Sequence, residues 1–149
     1  MSGERPEPVD VPYPVRDAIY AEARKAYPAE CCGVLAGRVQ GNGDKEVVRL
    51  APAVNRRTDD PHRYLIAPED LRRLETDLRA DGLEIVGYYH SHPDHPAVPS
   101  GFDTEHAWPW YSYLIVRVED GRGREAASWT LDEERPVMRF ESLEALSEV

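Results

Sequence analysis

Apolar positions along the chain recur with helical spacing in some segments and form short continuous or alternating runs in others. Helical spacing marks 15–27 (VRDAIYAEARKAY) and 68–80 (PEDLRRLETDLRA), and a shorter helix is expected near 101–108. Six runs are typical of strands: 31–36, 47–54, 83–89, 111–118, 126–131 and 137–140. Helices interleaved with strands, ending in an antiparallel run, predict an α/β fold with a mixed central β-sheet flanked by helices.

Turn-forming residues separate these segments. Pro68 suits the first turn of the second helix because it lacks an N–H that the helix would leave unpaired there. A Gly-Asn-Gly turn at 41–43 is expected to join the first two strands. The segment 119–124 (EDGRGR) predicts a hairpin, and 56–62 predicts a polar loop.

The length and composition indicate one globular domain. A chain of 149 residues is long enough to bury a core, and the proline-rich residues 1–11 predict a flexible N-terminal tail before a domain over 12–149. The net charge is −10, from 28 acidic against 18 basic residues. Because such a surface repels phosphate groups, we expect neither nucleic acid nor a membrane as a partner, while the oligomeric state stays open.

Cysteine usage and the N-terminus favour the cytoplasm. The two cysteines, Cys31 and Cys32, are adjacent and form no disulfide framework, which fits a reducing compartment. The N-terminal residues lack the apolar central segment of a signal peptide, and no apolar run approaches the ~18 residues of a membrane span. We therefore expect a cytoplasmic protein in which both cysteines act as small core side chains.

Two histidines follow the apolar run 83–89 in the sequence His90-Ser91-His92-Pro93. On a strand, residues two apart point to the same face, whereas on a helix they would lie roughly 200° apart. The two imidazoles therefore point at one place if the strand continues. Asp103 could supply an oxygen once the chain turns back. Two nitrogens, one carboxylate oxygen and an open position are typical of a hydrolytic zinc site.

Some of these residues could have purely structural roles. A strand histidine by itself usually only satisfies a neighbouring carbonyl group. Ser100 and Asp103 have the spacing of a capping box at the start of a helix, and we expect that Asp103 could hardly cap and bind metal with equal effect. A metal-bound water needs a base within hydrogen-bond reach, and Glu30 and Glu84 are the acidic candidates near apolar strands.

Three segments together resemble the JAMM (MPN-plus) metallopeptidases: 30–37 (ECCGVLAG), 87–93 (GYYHSHP) and 99–103 (PSGFD). That family's pattern joins an upstream glutamate to His-Ser/Thr-His-Pro, a short loop and Ser-x-x-Asp, and every functional position is matched. The resemblance covers roughly 12–140 and is strongest to the compact bacterial and archaeal members. It implies a single-domain, deaminase-like MPN fold.

The resemblance also implies a role for each residue of the site. His90, His92 and Asp103 would be zinc ligands, with water in the fourth position. Glu30 would be the general base that takes a proton from that water, and Ser100 would donate a hydrogen bond to the oxyanion. A zinc-dependent nucleic-acid deaminase is excluded, because it would need His-x-Glu and Pro-Cys-x-x-Cys, which the chain lacks.

The function implied is that of a zinc metallopeptidase of the isopeptidase type. Its substrate would be an amide or isopeptide bond after the C-terminal Gly-Gly of a ubiquitin-like or sulfur-carrier protein, such as a carrier–cysteine adduct that releases cysteine. An extended tail of this kind could lie along a sheet edge. Two alternatives stay open: a non-catalytic MPN scaffold that binds partners, and a general small-peptide metallopeptidase.

The remaining aromatic and histidine side chains are expected to have ordinary roles. We expect the side chains of Trp108, Trp110, Tyr111 and Tyr113 to pack in the core and on the sheet, a peptide-binding wall being the alternative. His95, His106 and His62 are further candidates. His95 is expected to be an exposed loop residue, His106 either to support the site or to face solvent, and His62 resembles a second metal cluster only superficially.

Overall fold

The computed structural model describes residues 9–41, 43–57, 64–120, 122–132, 134–141 and 143–144. Within these residues the chain forms three helices and eight strands. The helices are α1 (Tyr13–Ala26), α2 (Pro68–Ala80) and α3 (Gly101–Glu105). The strands are β1 (Val9–Asp10), β2 (Cys32–Val39), β3 (Lys45–Ala53), β4 (Glu84–Pro93), β5 (Ser112–Glu119), β6 (Arg122–Leu131), β7 (Met138–Glu141) and β8 (Leu143–Glu144).

The strands form one mixed sheet in the order β7-β6-β5-β4-β2-β3-β1-β8. The strand β4 lies at its centre, antiparallel to β2 and parallel to β5. Four of the seven neighbouring strand pairs are antiparallel. The chain passes from β4 to the parallel strand β5 through α3. The mixed α/β sheet predicted from the sequence is therefore confirmed.

Helices cover both faces of this sheet. Ile19 of α1 packs with Tyr89 and Leu114 in one core cluster, and Leu78 of α2 packs with Val34 and Ile85 in a second. All these side chains are buried. Because each strand presents alternate residues to opposite faces, the strands contribute side chains to both clusters. The motif strand is thus held between two apolar layers.

The register of β4 decides which of its residues share a face. Its pairing with β2 shifts between Ile85 and Gly87, which leaves Val86 as an extra residue on β4. After this irregularity Tyr88, His90 and His92 face the α2 side, and the residues between them face α1. The predicted alignment of the two histidines follows from this alternation.

The predicted elements agree with the structure except at some ends. The strand predicted over 83–89 continues through Pro93, because β5 pairs with it from Gly87 onward, with His90 opposite Ile115 and Pro93 opposite Val118. The short helix expected near 101–108 ends at Glu105. The second helix matches its prediction at both ends.

The domain includes residues before the predicted boundary at residue 12. Val9 and Val11 lie within the range predicted as a tail, and both are completely buried, with Val9 paired between β3 and β8. The tail over 1–8 lies outside the described residues and stays a prediction, as do His62 and the polar loop around it. Among the described residues, no helix combines the length and the apolar character needed to cross a membrane.

A close approach between β4 and β5 generates a first prediction. A Cβ atom at Gly87 would lie 2.3 Å from the Ser112 carbonyl oxygen, so Gly87→Ala must push the two strands apart. We expect it to lower the free energy of unfolding by about 1–3 kcal/mol in urea denaturation. Gly41→Ala is the control, since nothing lies within 4 Å of a Cβ there. Equal stability of both variants would contradict the close approach.

Candidate metal centre

Three donor atoms meet at the carboxyl end of β4. His90 Nε2 and His92 Nε2 lie 3.1 Å apart, and Asp103 Oδ2 lies 3.2 Å from the first and 3.0 Å from the second. Both imidazoles are buried, and the Asp103 side chain is only 9% exposed. The structure thus brings together the three residues that the sequence nominates as metal ligands.

Asp103 reaches the histidines through the start of α3. Ser100 caps this helix: its Oγ accepts from the Asp103 N–H at 3.0 Å, and its own N–H donates to Asp103 Oδ2 at 2.9 Å. The oxygen that completes the capping box therefore also faces both imidazoles. Capping and facing the imidazoles are compatible here, because a carboxylate oxygen accepts from more than one direction. The expectation that Asp103 could hardly cap and bind metal with equal effect stays a prediction.

The three atoms fit a divalent cation by their spacing and chemistry. Ligands of a tetrahedral zinc ion at 2.0–2.1 Å lie about 3.3 Å from one another, close to the observed edges. His92 Nδ1 lies 2.7 Å from the Pro96 carbonyl oxygen, so this nitrogen donates and Nε2 carries the lone pair. A cation offsets the repulsion among lone pairs that point at one place.

Burial and neighbouring groups tune both ligand types toward metal binding. Burial lowers the pKa of His90, which keeps its imidazole neutral at neutral pH. Burial raises the pKa of Asp103, but its contacts with His90 and His92 and the hydrogen bond from the Ser100 N–H outweigh burial and hold that pKa well below its usual value. A carboxylate beside two neutral imidazoles is the protonation state that a metal requires.

Aromatic rings hold each imidazole from one face. Tyr64 stacks on His90 with ring centroids 4.5 Å apart, and His95 stacks on His92 at 4.1 Å with an angle of 11° between the planes. His95 is half-buried by this contact, so the expectation of an exposed loop residue is wrong. Tyr64 was not among the predicted site residues, because its neighbours show no periodicity that would place it near β4.

Glu30 is held beside the ligands by the pairing of β2 with β4. Cys31 accepts from the Ser91 N–H at 3.1 Å and donates its own N–H to Ser91 Oγ at 2.9 Å, so the start of β2 lies against the motif. Glu30 is only 3% exposed, and its carboxylate lies within 4.8 Å of ring nitrogens of both His92 and His95. Glu84, the other candidate base, is exposed at the opposite end of β4.

A second group that could hold a cation overlaps the first. Glu30, His92 and His95 place donor atoms within 4.8 Å of one another, but the two groups share His92. Because His92 Nδ1 faces the Pro96 carbonyl oxygen, only Nε2 is left for a metal. The same nitrogen serves one ion at a time, so the two groups describe one metal centre with Glu30 and His95 at its side.

A cleft of about 280 Å³ opens next to Asp103. Its walls are largely aromatic and include Tyr64, Phe102 and Trp108. Trp108 and Trp110 are 68% and 42% exposed, so the expectation that they pack in the core is wrong for these two. Tyr113 is buried as expected, and Trp108 instead forms part of a wall beside the candidate ligands.

The two cysteines are not candidate nucleophiles. Cys31 and Cys32 are buried and free of disulfides, as expected for core side chains. Burial raises the pKa of each thiol to about 12, so both are protonated at neutral pH. His106 is exposed, and its Nδ1 lies 2.9 Å from the Phe102 carbonyl oxygen within its own helix.

Comparisons with known proteins show which proteins this chain resembles. The family model described as prokaryotic homologs of the JAB domain matches residues 12–132. A desampylase of Haloferax volcanii is 40% identical over 128 residues, which span 82% of this chain and 88% of the relative. A CysO-cysteine peptidase of Mycobacterium tuberculosis is 32% identical over 77% of each chain. The solution structure of a protein from Desulfitobacterium hafniense superposes with a TM-score of 0.82 at 29% identity, covering 95% of this chain and 94% of that one.

The geometry predicts that removing one ligand removes the metal. We expect His92→Ala to lower bound zinc from about one ion per chain to near none, because two remaining ligands hold zinc weakly. Elemental analysis of protein purified without chelator measures this ratio. His106→Ala is the matched control and should keep its zinc, since that imidazole is exposed directly after α3. Unchanged zinc in His92→Ala would contradict the ligand set.

Proposed function

The chain belongs to the family of prokaryotic JAB-domain proteins, and on this premise we propose that it is a zinc-dependent isopeptidase. The reaction is hydrolysis of the amide bond after the C-terminal Gly-Gly of a ubiquitin-like or sulfur-carrier protein. One observation carries the proposal: three buried donor atoms lie 3.0–3.2 Å from one another, with the buried carboxylate of Glu30 at their side.

In this proposal His90, His92 and Asp103 hold the zinc ion. When bound, zinc supplies a Lewis acid that polarises a carbonyl group and makes water acidic enough to react at neutral pH. One carboxylate among the three ligands would provide a single negative charge, which would leave a bound ion electrophilic. The burial of all three side chains excludes bulk water and strengthens these interactions.

Glu30 is the proposed proton carrier. Its carboxylate lies on the His92 side of the centre, within 4.8 Å of that ligand. It accepts a proton from the attacking water and donates it to the leaving amine, so that the C–N bond breaks without an acyl-enzyme. The backbone pairing of Cys31 with Ser91 fixes the distance of this carboxylate from the ligands.

Ser100 is the proposed donor to the oxyanion. Its Oγ already accepts from the Asp103 N–H, so its hydroxyl hydrogen is left to donate outward. One such donor is worth about 3 kcal/mol to an acyl-transfer transition state. Capping and catalysis therefore use different parts of the same hydroxyl group.

The aromatic cleft beside Asp103 is the proposed path for the substrate tail. The strand β4 is paired with β5 as far as Pro93 and with β2 as far as His90, and the Ser91 N–H donates to the Cys31 carbonyl, so little of its edge beside the histidines is left for an added strand. The cleft instead leads past Tyr64, Phe102 and Trp108 to Asp103. A tail ending in two glycines is thin enough to bring its last carbonyl to a centre this buried.

The relatives support the choice of substrate class. The names desampylase and CysO-cysteine peptidase belong to relatives that match most of the chain, and the second describes an adduct of a protein with cysteine. We infer a carrier protein as the substrate and a cytoplasmic location, which the two free cysteines favour. Release of cysteine from such an adduct would regenerate the carrier's C-terminal carboxylate.

The role of Glu30 gives a prediction that separates chemistry from binding. Glu30→Gln should keep zinc but lower kcat by about 10²–10⁴-fold, because only the proton carrier is lost. Hydrolysis of a carrier–cysteine adduct followed by mass spectrometry, with zinc measured on the same sample, tests this. Glu84→Gln is the control and should be as active as wild type. Wild-type turnover in Glu30→Gln would place the base elsewhere.

The substrate class requires its own test. Wild-type protein should cleave a carrier–cysteine adduct or a carrier–lysine conjugate at least about tenfold faster, in kcat/KM, than peptides that lack the Gly-Gly tail. Equal rates would indicate a general peptidase. No cleavage of either class by zinc-loaded protein would indicate a scaffold that binds partners.

A further inference from the structure

The segment that follows the two histidines, residues 94–99, is bound tightly to the neighbouring strands. The Asp94 N–H donates to the Val118 carbonyl at 2.6 Å. The Asp94 carboxylate accepts from the Tyr27 hydroxyl at 2.6 Å and from the Asp120 N–H at 3.1 Å. This start of the segment is therefore tied to β5 and to the end of α1.

Two side chains of β6 bind the middle of the segment. The Ala97 N–H donates to Glu125 Oε1 at 3.0 Å, and the Ala97 carbonyl accepts from Trp129 Nε1 at 3.0 Å. Glu125 and Trp129 lie four residues apart on one strand, so both point to the same face of the sheet. Ala97 is 2% exposed, and both of its backbone polar groups are satisfied by these side chains.

One peptide group links Glu125 to a candidate metal ligand. The Ala97 N–H and the Pro96 carbonyl belong to the same planar amide. Glu125 accepts from the N–H of this amide, and the carbonyl oxygen of the same amide, that of Pro96, lies 2.7 Å from His92 Nδ1. A carboxylate, a peptide group and an imidazole therefore form one continuous chain of hydrogen bonds, which ends at a ring whose Nε2 faces His90 and Asp103.

Such a chain acts on the ligand in two ways. Because the amide is planar, fixing its N–H also fixes the direction of its carbonyl oxygen, and with it the orientation of the His92 ring. A negative charge at the N–H end polarises the amide, so the carbonyl becomes a stronger acceptor and the imidazole a better electron donor. The stacking of His95 on His92 restrains the ring from its face, which complements this in-plane hydrogen bond.

We propose that Glu125 is a positioning residue for His92, acting through the Pro96–Ala97 peptide group, and that Trp129 holds the same peptide segment in place. The proposal rests on the metal centre of the proposed function but not on its reaction. Neither side chain touches the three donor atoms, and both come from a strand that the metal-binding motif does not include. The segment 94–99 is thus a fixed support of the site.

The affinity for zinc alone tests this, measured by competition with a chromophoric chelator. Partners of metal-bound histidines are typically worth about 10–100-fold in affinity, and Glu125 lies one peptide group farther away. We therefore expect Glu125→Ala and Trp129→Phe each to weaken zinc binding by about tenfold. The visible spectrum of the cobalt-substituted protein should also shift in Glu125→Ala, because the His92 ring turns.

Two matched variants separate positioning from general damage. Glu125→Gln keeps a side-chain oxygen that can accept from the Ala97 N–H, so it should lose less affinity than Glu125→Ala. Phe140→Leu removes the ring that packs edge-on against Trp129, 5.6 Å between centroids, without touching the segment, and should bind zinc like wild type. Thermal unfolding of the metal-free proteins should differ little among the Glu125 variants.

The outcomes that would overturn the proposal are distinct. Wild-type zinc affinity in Glu125→Ala, or an equal loss in Phe140→Leu, would show that the hydrogen-bond chain does not act on His92. If wild-type protein binds no zinc, the metal centre itself is wrong, and the proposed function fails with it. If all variants bind zinc as expected but wild type cleaves no conjugate, the positioning role stands and only the reaction is wrong.

Discussion

Three atoms that can bind a metal face one another in a mostly buried site, and the rest of this structure serves to keep them there. Two imidazole nitrogens and a carboxylate oxygen at 3.0–3.2 Å repel one another unless a proton or a cation lies between them. Burial makes this repulsion stronger, because the surrounding protein screens charges less than bulk water does. The fold therefore stabilises an arrangement that favours a divalent ion over an empty site.

The sheet provides the stiffness that this arrangement needs. The strand β4 is covered on both faces, paired with β5 through Pro93 and with β2 as far as His90, so His90 and His92 project from a rigid element. The helix α3 brings Asp103 to them through a capping box, which uses the same carboxylate oxygen. Rigid placement of ligands is what allows a small domain to hold a metal.

The surroundings of the centre differ from one side to the other. Glu30 lies beside His92 just before β2, the aromatic cleft opens beside Asp103, and the Pro96 carbonyl oxygen lies 2.7 Å from His92 Nδ1. The surroundings of the centre thus offer a carboxylate near one ligand and apolar surface near another. An enzyme that breaks an amide bond needs this asymmetry, because the leaving amine needs a proton and the acyl part needs a binding surface.

Local pattern alone determined much of this protein. The spacing of apolar residues predicts α2 to the residue, and the alternation of a strand already aligns His90 with His92. The Ser100–Asp103 spacing predicts the capping box that the structure contains. These features depend only on neighbours in the chain, which is why periodicity and spacing reveal them.

Tertiary structure decided the features that depend on distant segments. The local pattern left both Glu30 and Glu84 as candidates, and it is the pairing of β2 with β4 that brings Glu30 beside the histidines. Trp108 is apolar yet exposed, since the burial of a side chain depends on what the rest of the chain leaves to cover it. Glu125 reaches His92 only through a peptide group of another loop. Periodicity describes which way a side chain points, whereas contacts across the sheet depend on the register and order of strands far apart in the chain.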